Sequence, residues 1–274
     1  MHRHGILTVL LLCAGAVALS SCQSSKSRAN KLCVARPVER LYLSGTDDLS
    51  KRDYSGAIEA FNEVERQHPY SEWARRSTLM SAFASYQSSH FDDAIETSRR
   101  YISLHPGSEG APYAYYIIAV SYFDQIMDVG RDQKTTESAK AALVDVTRRF
   151  PESEYAKDAQ LKIDMVDDQL AGKEMRIGRW YLRHNEHLPA INRFKRVVEE
   201  FQTTGHTAEA LHRLVESYLS IGLRGQAQTA AAVLGYNYPD SKWYQRSYRL
   251  MTRQGLDPDA VSEEQRKGWL LRIF

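Results

Sequence analysis

Two groups of side chains have the residue types that catalysis or metal binding would need. Residues 184–187 read His-Asn-Glu-His, which places two imidazoles and a carboxylate within four positions, as zinc sites often do. No further ligand stands close by in the sequence, so a solvated turn explains this stretch. Asp164, Asp167 and Asp168 fall on one predicted helix, where they indicate a solvent-facing surface rather than paired catalytic carboxylates.

Motifs that identify an active site are missing from the sequence. It contains no phosphate-binding GxxxxGK-S/T loop, no GxSxG nucleophile elbow and no HExxH zinc helix. His68 and His105 precede prolines at equivalent places of a repeat, so repetition accounts for both. We therefore predict a protein that is not an enzyme and that has no catalytic residue, metal ion or cofactor.

One cysteine carries a specific chemical prediction. The first 21 residues contain Arg3 followed by an apolar segment, as a secretory signal does. This segment ends in Leu19-Ser20-Ser21-Cys22, which resembles the lipobox of bacterial lipoproteins, where the cysteine is acylated and becomes the mature N-terminus. We predict a signal peptide over 1–21 and a lipid on Cys22. Ordinary signal cleavage with Cys22 as a passenger is the alternative.

The segment after Cys22 predicts a tether. Residues 22–36 are rich in serine and basic side chains and contain no acid, which favours a flexible lipidated linker. Gln23 stands where aspartate resembles an inner-membrane retention signal, so glutamine is compatible with export to the outer membrane, and we predict a lipid-anchored protein there that faces the periplasm. Cys13 leaves with the signal and Cys33 remains as one free thiol, so we expect no disulfide framework.

Charge and hydropathy argue against two classes of protein. The net charge of the 274 residues is +2, which argues against a nucleic-acid-binding protein. The mean hydropathy is −0.49, and no run of about 18 apolar residues occurs, so the sequence predicts no membrane-spanning helix. Hydrophobic residues make up 43% of the chain, enough for a sizeable core.

The chain is organised around a pattern that first appears in residues 45–69. Gly45 and Ala57 are small, apolar residues follow at helical spacing through Phe61, and Pro69 ends the second helix because proline cannot continue it. A small residue, a turn, an alanine, an aromatic and a proline at these offsets are typical of the tetratricopeptide hairpin of about 34 residues. One hairpin cannot bury its own apolar stripe, so it needs neighbours.

Equivalent alanines show where those neighbours are. Ala94 follows Ala57 by 37 residues (94 − 57), and Ala227 follows Ala190 by the same 37 (227 − 190). Ala139 follows Ala94 by 45, which predicts an eight-residue insertion, placed in residues 128–136 with Arg131-Asp132-Gln133 at its centre.

These spacings predict an all-α, tetratricopeptide-like helical-hairpin solenoid over residues 37–250. About five repeats lie near 37–70, 71–107, 112–151, 172–202 and 207–240. A polar tail with an apolar C-terminal end occupies 251–274. The fourth repeat has two departures: Gln202 replaces the closing proline, and His187 stands where Tyr54 and Phe91 lead us to expect an aromatic.

The lipobox, the linker and the five repeats together resemble the BamD family, the outer-membrane lipoproteins of the barrel-assembly machinery. The resemblance covers residues 19–240 and weakens in the tail. Its most specific stretches are His105-Pro106, Tyr113-Ala114-Tyr115, Arg131-Asp132-Gln133, Gly172-Lys173-Glu174-Met175, Gly178-Arg179-Trp180-Tyr181, Ala190-Ile191-Asn192-Arg193-Phe194 and Thr203-Thr204-Gly205-His206.

The resemblance implies a scaffold that binds the periplasmic domain of BamA through its later repeats. Arg193 falls off the packing stripe that Ala190 and Phe194 belong to, so its guanidinium need not be buried, and a solvated arginine is the alternative. With Asn192 and Arg179, it is the predicted contact for BamA. Other Bam lipoproteins are expected in the same complex.

The resemblance also implies that the earlier repeats receive unfolded β-barrel proteins. Aromatic residues in repeats two and three exceed what one helix face needs, and we predict a substrate groove that uses Tyr86, Tyr113, Tyr115 and Tyr116. Core packing is the alternative for any one of these tyrosines. The alternative for the whole chain is another periplasmic repeat lipoprotein, associated with peptidoglycan or a pilus.

Overall fold

The computed structural model describes residues 37–128 and 133–257, together with positions 261, 262, 264 and 268. Several predictions concern other residues and lie outside this description. They are the signal peptide 1–21, the linker 22–36 with Cys22 and Cys33, the centre of the insertion at Arg131 and Asp132, and nearly all of the tail beyond residue 257.

The described residues form eleven α-helices and no strand. These are α1 (Val38–Ser50), α2 (Tyr54–Gln67), α3 (Glu72–Gln87), α4 (Phe91–Leu104), α5 (Ala111–Phe123), α6 (Lys134–Arg149), α7 (Glu154–Arg183), α8 (His187–Glu200), α9 (Thr207–Ser220), α10 (Arg224–Asn237) and α11 (Lys242–Arg253). None of the helices within the described ranges is both long and apolar enough to cross a membrane. The predicted all-α class with tetratricopeptide-like hairpins is confirmed.

The chain divides into two compact units. The N-terminal unit extends to Gly110 and contains α1–α4, and the C-terminal unit begins at Ala111 and contains α5–α11. Within each unit, every helix packs against the next one along the chain. The helices pair as five hairpins, from α1–α2 to α9–α10, and α11 packs against both helices of the last hairpin.

The tight turns inside four hairpins each contain one residue with a left-handed backbone conformation (positive φ), two positions before the second helix begins. The φ angles are 60° at Arg52, 61° at Ser89, 59° at Asn185 and 78° at Gly222. The next residue in each turn then donates its N–H to the carbonyl five positions back, over 2.9–3.0 Å. This bond is the one that closes a Schellman motif at a helix end.

The fourth turn therefore keeps the common shape although His187 replaces the expected aromatic. Glu186 donates its N–H to the carbonyl of Tyr181 over 3.0 Å, just as His90 donates to Ser85 over 2.9 Å. Backbone hydrogen bonds define this turn, so the identity of the following side chain matters little.

All five second helices end in one backbone conformation. The C-terminal cap has φ between −133° and −138° at His68, His105, Phe150, Phe201 and Tyr238. Proline follows four of these caps and disfavours the helical conformation of the residue before it. After the fourth, the buried hydroxyl of Thr207 lies 3.1 Å from the carbonyl oxygen of Phe201 and 3.0 Å from that of Gln202. This hydroxyl supports the same ending without proline.

The predicted start of the fourth repeat, residue 172, falls inside helix α7. This is one 30-residue helix that begins at Glu154, 18 residues before the predicted start at 172, and it continues through Gly172. A glycine inside a helix costs about 1 kcal/mol relative to alanine, which packing readily offsets. The buried Ala171, Glu174 and Met175 supply that packing around Gly172.

Two glycines let neighbouring helices approach closely. A Cβ atom built on Gly45 would lie 2.7 Å from the ring of Phe61, and one on Gly178 would lie 2.5 Å from the ring of Phe194. Both rings are fully buried. Gly45 and Gly178 each precede their phenylalanine by 16 residues, so the two units contain the same contact at equivalent places.

Candidate partner-binding surface

A buried carboxylate lies at the centre of the predicted partner-binding region. The Glu174 side chain on α7 is only 5% exposed, and two arginines of α8 bind it. Arg193 Nη1 lies 3.1 Å from Glu174 Oε2, and Arg196 Nη1 lies 3.1 Å from Glu174 Oε1. Because a buried charge needs partners, these two arginines are what allows a glutamate at this position.

The helical pattern of α8 places both arginines beside its buried stripe. Ala190, Phe194 and Val197 are fully buried, whereas the side chains of Arg193 and Arg196 remain 38% and 44% exposed. Arg193 thus keeps a solvent-facing part, as the sequence predicts, while it also has an internal partner. Its predicted role in docking stays a prediction.

Arg179 belongs to a second ion-pair cluster. Its Nη1 lies 3.2 Å from Glu209 Oε1 on α9, and Arg213 Nε lies 3.3 Å from the same oxygen. Arg179 follows Glu174 by five residues on α7, which is about 140° around the helix. The two predicted arginines therefore bind different carboxylates. The third predicted contact, Asn192, is exposed on α8.

A cleft of about 360 Å³ opens next to Glu174, between α6, α7 and α8. Leu170 and Phe201 give it an apolar floor, and Lys140 and Arg196 lie among its charged lining residues. Lys140 is held over the Phe201 ring at 5.1 Å and pairs with Asp167 at 2.6 Å. Glu137, Glu174 and Glu200 also line it, so the cleft presents both signs of charge around its apolar floor.

Three of the predicted groove tyrosines lie on α5 of the C-terminal unit and are half-buried. The Tyr113 and Tyr116 rings contact the Tyr155 ring at centroid distances of 5.4 and 5.1 Å. Burial raises the pKa of Tyr113 to about 12. Tyr116 also donates its hydroxyl hydrogen to Asp158 Oδ2 over 2.5 Å.

Tyr115 and Tyr116 also take part in core packing. Both pack against the main core of the C-terminal unit. The Tyr115 ring lies 5.5 Å from that of Phe150, and the Arg149 guanidinium lies 5.1 Å from its centroid. Each tyrosine nevertheless keeps an accessible part that a ligand can contact.

Tyr86 lies in the other unit, half-buried, with its ring 6.0 Å from that of Phe91. The N-terminal unit contains a polar cleft of about 720 Å³ lined by Asn62, Ser81, Ser85 and the Glu65–Arg100 ion pair, among others. Tyr86 is not among the lining residues of this cleft.

Several side chains of the two groups that could carry chemistry have polar partners, whereas His187 Nδ1 is buried and neither accepts nor donates a hydrogen bond among the described residues. His184 caps the end of α7, with Nδ1 2.8 Å from the Trp180 carbonyl oxygen and its ring stacked 4.1 Å from the Trp180 ring. Asp167 pairs with Lys140, and Asp168 lies 3.6 Å from His206. Within the described ranges, no group of three or more His, Cys, Asp or Glu side chains is placed to hold a metal ion.

Comparison with known proteins identifies the family. A model of the outer membrane lipoprotein family YfiO matches residues 34–234. The outer membrane protein assembly factor BamD of Caulobacter vibrioides is 52% identical over 256 residues, which are 93% of this chain and 83% of that protein. The BamD of Rickettsia prowazekii is 43% identical over 88% of this chain and 94% of its own length.

The chain belongs to the BamD family. A solved tetratricopeptide protein of Thermus thermophilus also aligns with 79% of the chain, at 17% identity and a TM-score of 0.37, a likeness too weak to bear on function. The region matched by the BamD family model contains all the predicted contact residues except Cys22. It ends at residue 234, eight residues before α11 begins.

Two residues of the ion-pair cluster at this candidate surface, Glu174 and Arg196, are not among the contacts predicted from the sequence pattern alone. In the sequence, Glu174 stands out only as part of a stretch that resembles the family, and Arg196 has no distinguishing feature of its own. A glutamate between the apolar Leu170, Ala171 and Met175 is a signal that could have indicated a buried, paired carboxylate. The spacing of Arg193 and Arg196, three residues apart on one helix face, is the matching signal on α8.

Proposed function

We propose that this protein is an outer-membrane-anchored scaffold on the periplasmic side that serves the assembly of β-barrel proteins. The observation that carries the proposal is the 52% identity, over 93% of the chain, with an outer membrane protein assembly factor. In this proposal the protein binds the periplasmic domain of BamA, other Bam lipoproteins and unfolded barrel proteins, and catalyses no reaction.

Affinity purification from detergent-solubilised outer membranes tests this function. The tagged full-length protein is expected to recover BamA and other Bam lipoproteins in a constant ratio. Depletion of the protein should lower the amount of folded barrel proteins in the outer membrane. Recovery of peptidoglycan- or pilus-associated proteins in place of BamA would favour the alternative scaffold.

Replacing Cys22 by serine is expected to release the protein from the membrane fraction. A serine hydroxyl cannot take the place of the lipidated thiol, and the anchor rests on acyl chains whose burial contributes about 0.8 kcal/mol per CH₂ group. Fractionation and mass spectrometry of the mature N-terminus measure both effects. Cys33→Ser is the matched control and should leave the protein in the membrane. An N-terminus without lipid in the unchanged protein would contradict the prediction.

The predicted substrate contacts are Tyr86, Tyr113, Tyr115 and Tyr116. We propose that these partly exposed rings contact the aromatic side chains of barrel strands. A photoreactive phenylalanine analogue at each position keeps the ring in place, and the probe is a peptide ending in the last strand of a barrel protein. Crosslinks are expected at these positions and not at Tyr236, a control in the fifth repeat that is 70% exposed. Equal crosslinking at Tyr236 would contradict the proposal that the four tyrosines contact the substrate.

A further inference from the structure

Helix α11 presents a stripe of four cations. Lys242, Arg246, Arg249 and Arg253 follow one another at intervals of four, three and four residues, so they share one helix face, and all are exposed. The twelve residues of α11 contain no aspartate or glutamate. The stripe therefore concentrates four positive charges along about 16 Å of helix. We call these four residues the α11 stripe.

The described carboxylates do not neutralise the α11 stripe. None of the four cations forms an ion pair within 4 Å with a carboxylate in the part of the chain that the structure describes. On the neighbouring α9, Glu209 and Glu216 bind other cations: Arg179 and Arg213 pair with Glu209, and Arg213 with Glu216. Partial burial opposes ionisation of Glu216, yet hydrogen bonds from His212 and Arg213 lower its pKa to about 2.

Packing holds α11 and part of its stripe in a fixed geometry. His212 Nδ1 lies 2.8 Å from the buried Ser247 Oγ, and Met251 is fully buried. The Trp243 ring lies 5.3 Å from the His212 ring. Arg246 and Lys242 lie over Trp243, 4.8 and 5.2 Å from its ring centroid. The stripe thus begins on an aromatic platform anchored to α9, which lowers the ordering cost of binding.

We propose that the α11 stripe is a docking surface for an acidic segment of a partner protein. Three of its four cations are arginines, whose planar forks bind carboxylates in a bidentate way. Their spacing of about 5–6 Å along the helix matches a partner helix with Asp or Glu at every third or fourth residue. A protein partner is favoured over a membrane because most of the apolar and aromatic residues of α11 pack against the core of the unit, and only Tyr248, 40% exposed, is left for a membrane-inserting face.

A charge-matched pair of variants tests the docking surface in the full-length lipoprotein. The stripe variant is Arg246→Gln, Arg249→Gln and Arg253→Gln. The control variant is Lys157→Gln, Arg183→Gln and Arg224→Gln, three exposed cations elsewhere in the same unit. Both lose three positive charges and should keep the circular dichroism spectrum of the unchanged protein.

The probe is a fluorescein-labelled helical peptide with glutamate at every third or fourth position. We expect the stripe variant to bind it at least tenfold more weakly, the control variant to stay within twofold, and the difference to shrink between 50 and 200 mM salt. Equal losses in both variants would overturn the proposal, since net charge would then explain binding. Stripe-dependent binding to phosphatidylglycerol vesicles without peptide binding would overturn it in favour of a lipid surface.

Discussion

Replacing Phe194 by alanine is expected to destabilise the C-terminal unit by about 3–5 kcal/mol. The Phe194 ring is fully buried in the core shared by α7, α8 and α9, and it lies directly on the backbone of Gly178. Removing it leaves a cavity between helices whose close approach depends on this contact. Urea denaturation of the purified protein, followed by circular dichroism, measures the loss.

A substitution at Gly178 on α7 tests the same contact with Phe194. Replacing a glycine inside a helix by alanine normally stabilises the folded protein by up to about 1 kcal/mol. At Gly178 the added Cβ would lie 2.5 Å from Phe194 Cε1, so we expect Gly178→Ala to destabilise by about 1–3 kcal/mol instead.

Two comparisons control this prediction. Gly225→Ala on α10 meets no atom within 4 Å and should be neutral or stabilising. Phe194→Leu removes the ring atoms that the new Cβ would contact. In a protein that already contains Phe194→Leu, Gly178→Ala should therefore be much less destabilising. A stabilising effect of Gly178→Ala in the unchanged protein would show that the helices can separate without penalty.

The residues of this contact illustrate which parts of the fold can be predicted from the sequence. Gly178 stands twelve residues before Ala190, just as Gly45 stands twelve before Ala57. Repeated spacing of small and apolar residues is a local signal, and it correctly predicted the hairpins. The same signal indicates a helix that begins after Ser153, but it could not decide whether that helix continues past Gly172, as α7 does from Glu154 to Arg183. A glycine at 172 suggests an interruption, and only the packing of distant helices decides against it.

The candidate surface shows a second limit. Helical periodicity placed Arg193 off the packing stripe, and its side chain is indeed partly exposed. Periodicity says nothing about a partner on another helix. Glu174 lies 19 residues away in sequence and binds both Arg193 and Arg196. That long-range pairing follows from the crossing of α7 and α8, and it changes which substitution can test the role of Arg193.

Arg193→Gln is expected to weaken binding of BamA tenfold or more. Tenfold corresponds to about 1.4 kcal/mol, below the roughly 2–5 kcal/mol that truncating one side of a desolvated interfacial pair commonly costs. Glutamine removes the charge and adds no new one. Arg193→Glu is a poorer test, because it places a second carboxylate against the buried Glu174 and so destabilises the fold. Calorimetric titration with the purified periplasmic domain of BamA measures the affinity.

Arg196→Gln is the matched control for this experiment. Arg196 binds the other oxygen of Glu174 at the same 3.1 Å and is similarly exposed, so both variants leave Glu174 with one arginine. Arg196 also pairs with Glu200 through its Nε at 3.0 Å, so Arg196→Gln should cost at least as much folding stability as Arg193→Gln. A larger loss of affinity in Arg193→Gln would then point to a direct contact between Arg193 and the partner. If Arg193→Gln and Arg196→Gln weaken binding equally, Arg193 has no specific role, because the two arginines then contribute alike, either by holding Glu174 or by contacting the partner. If neither weakens it, the partner binds elsewhere on the chain.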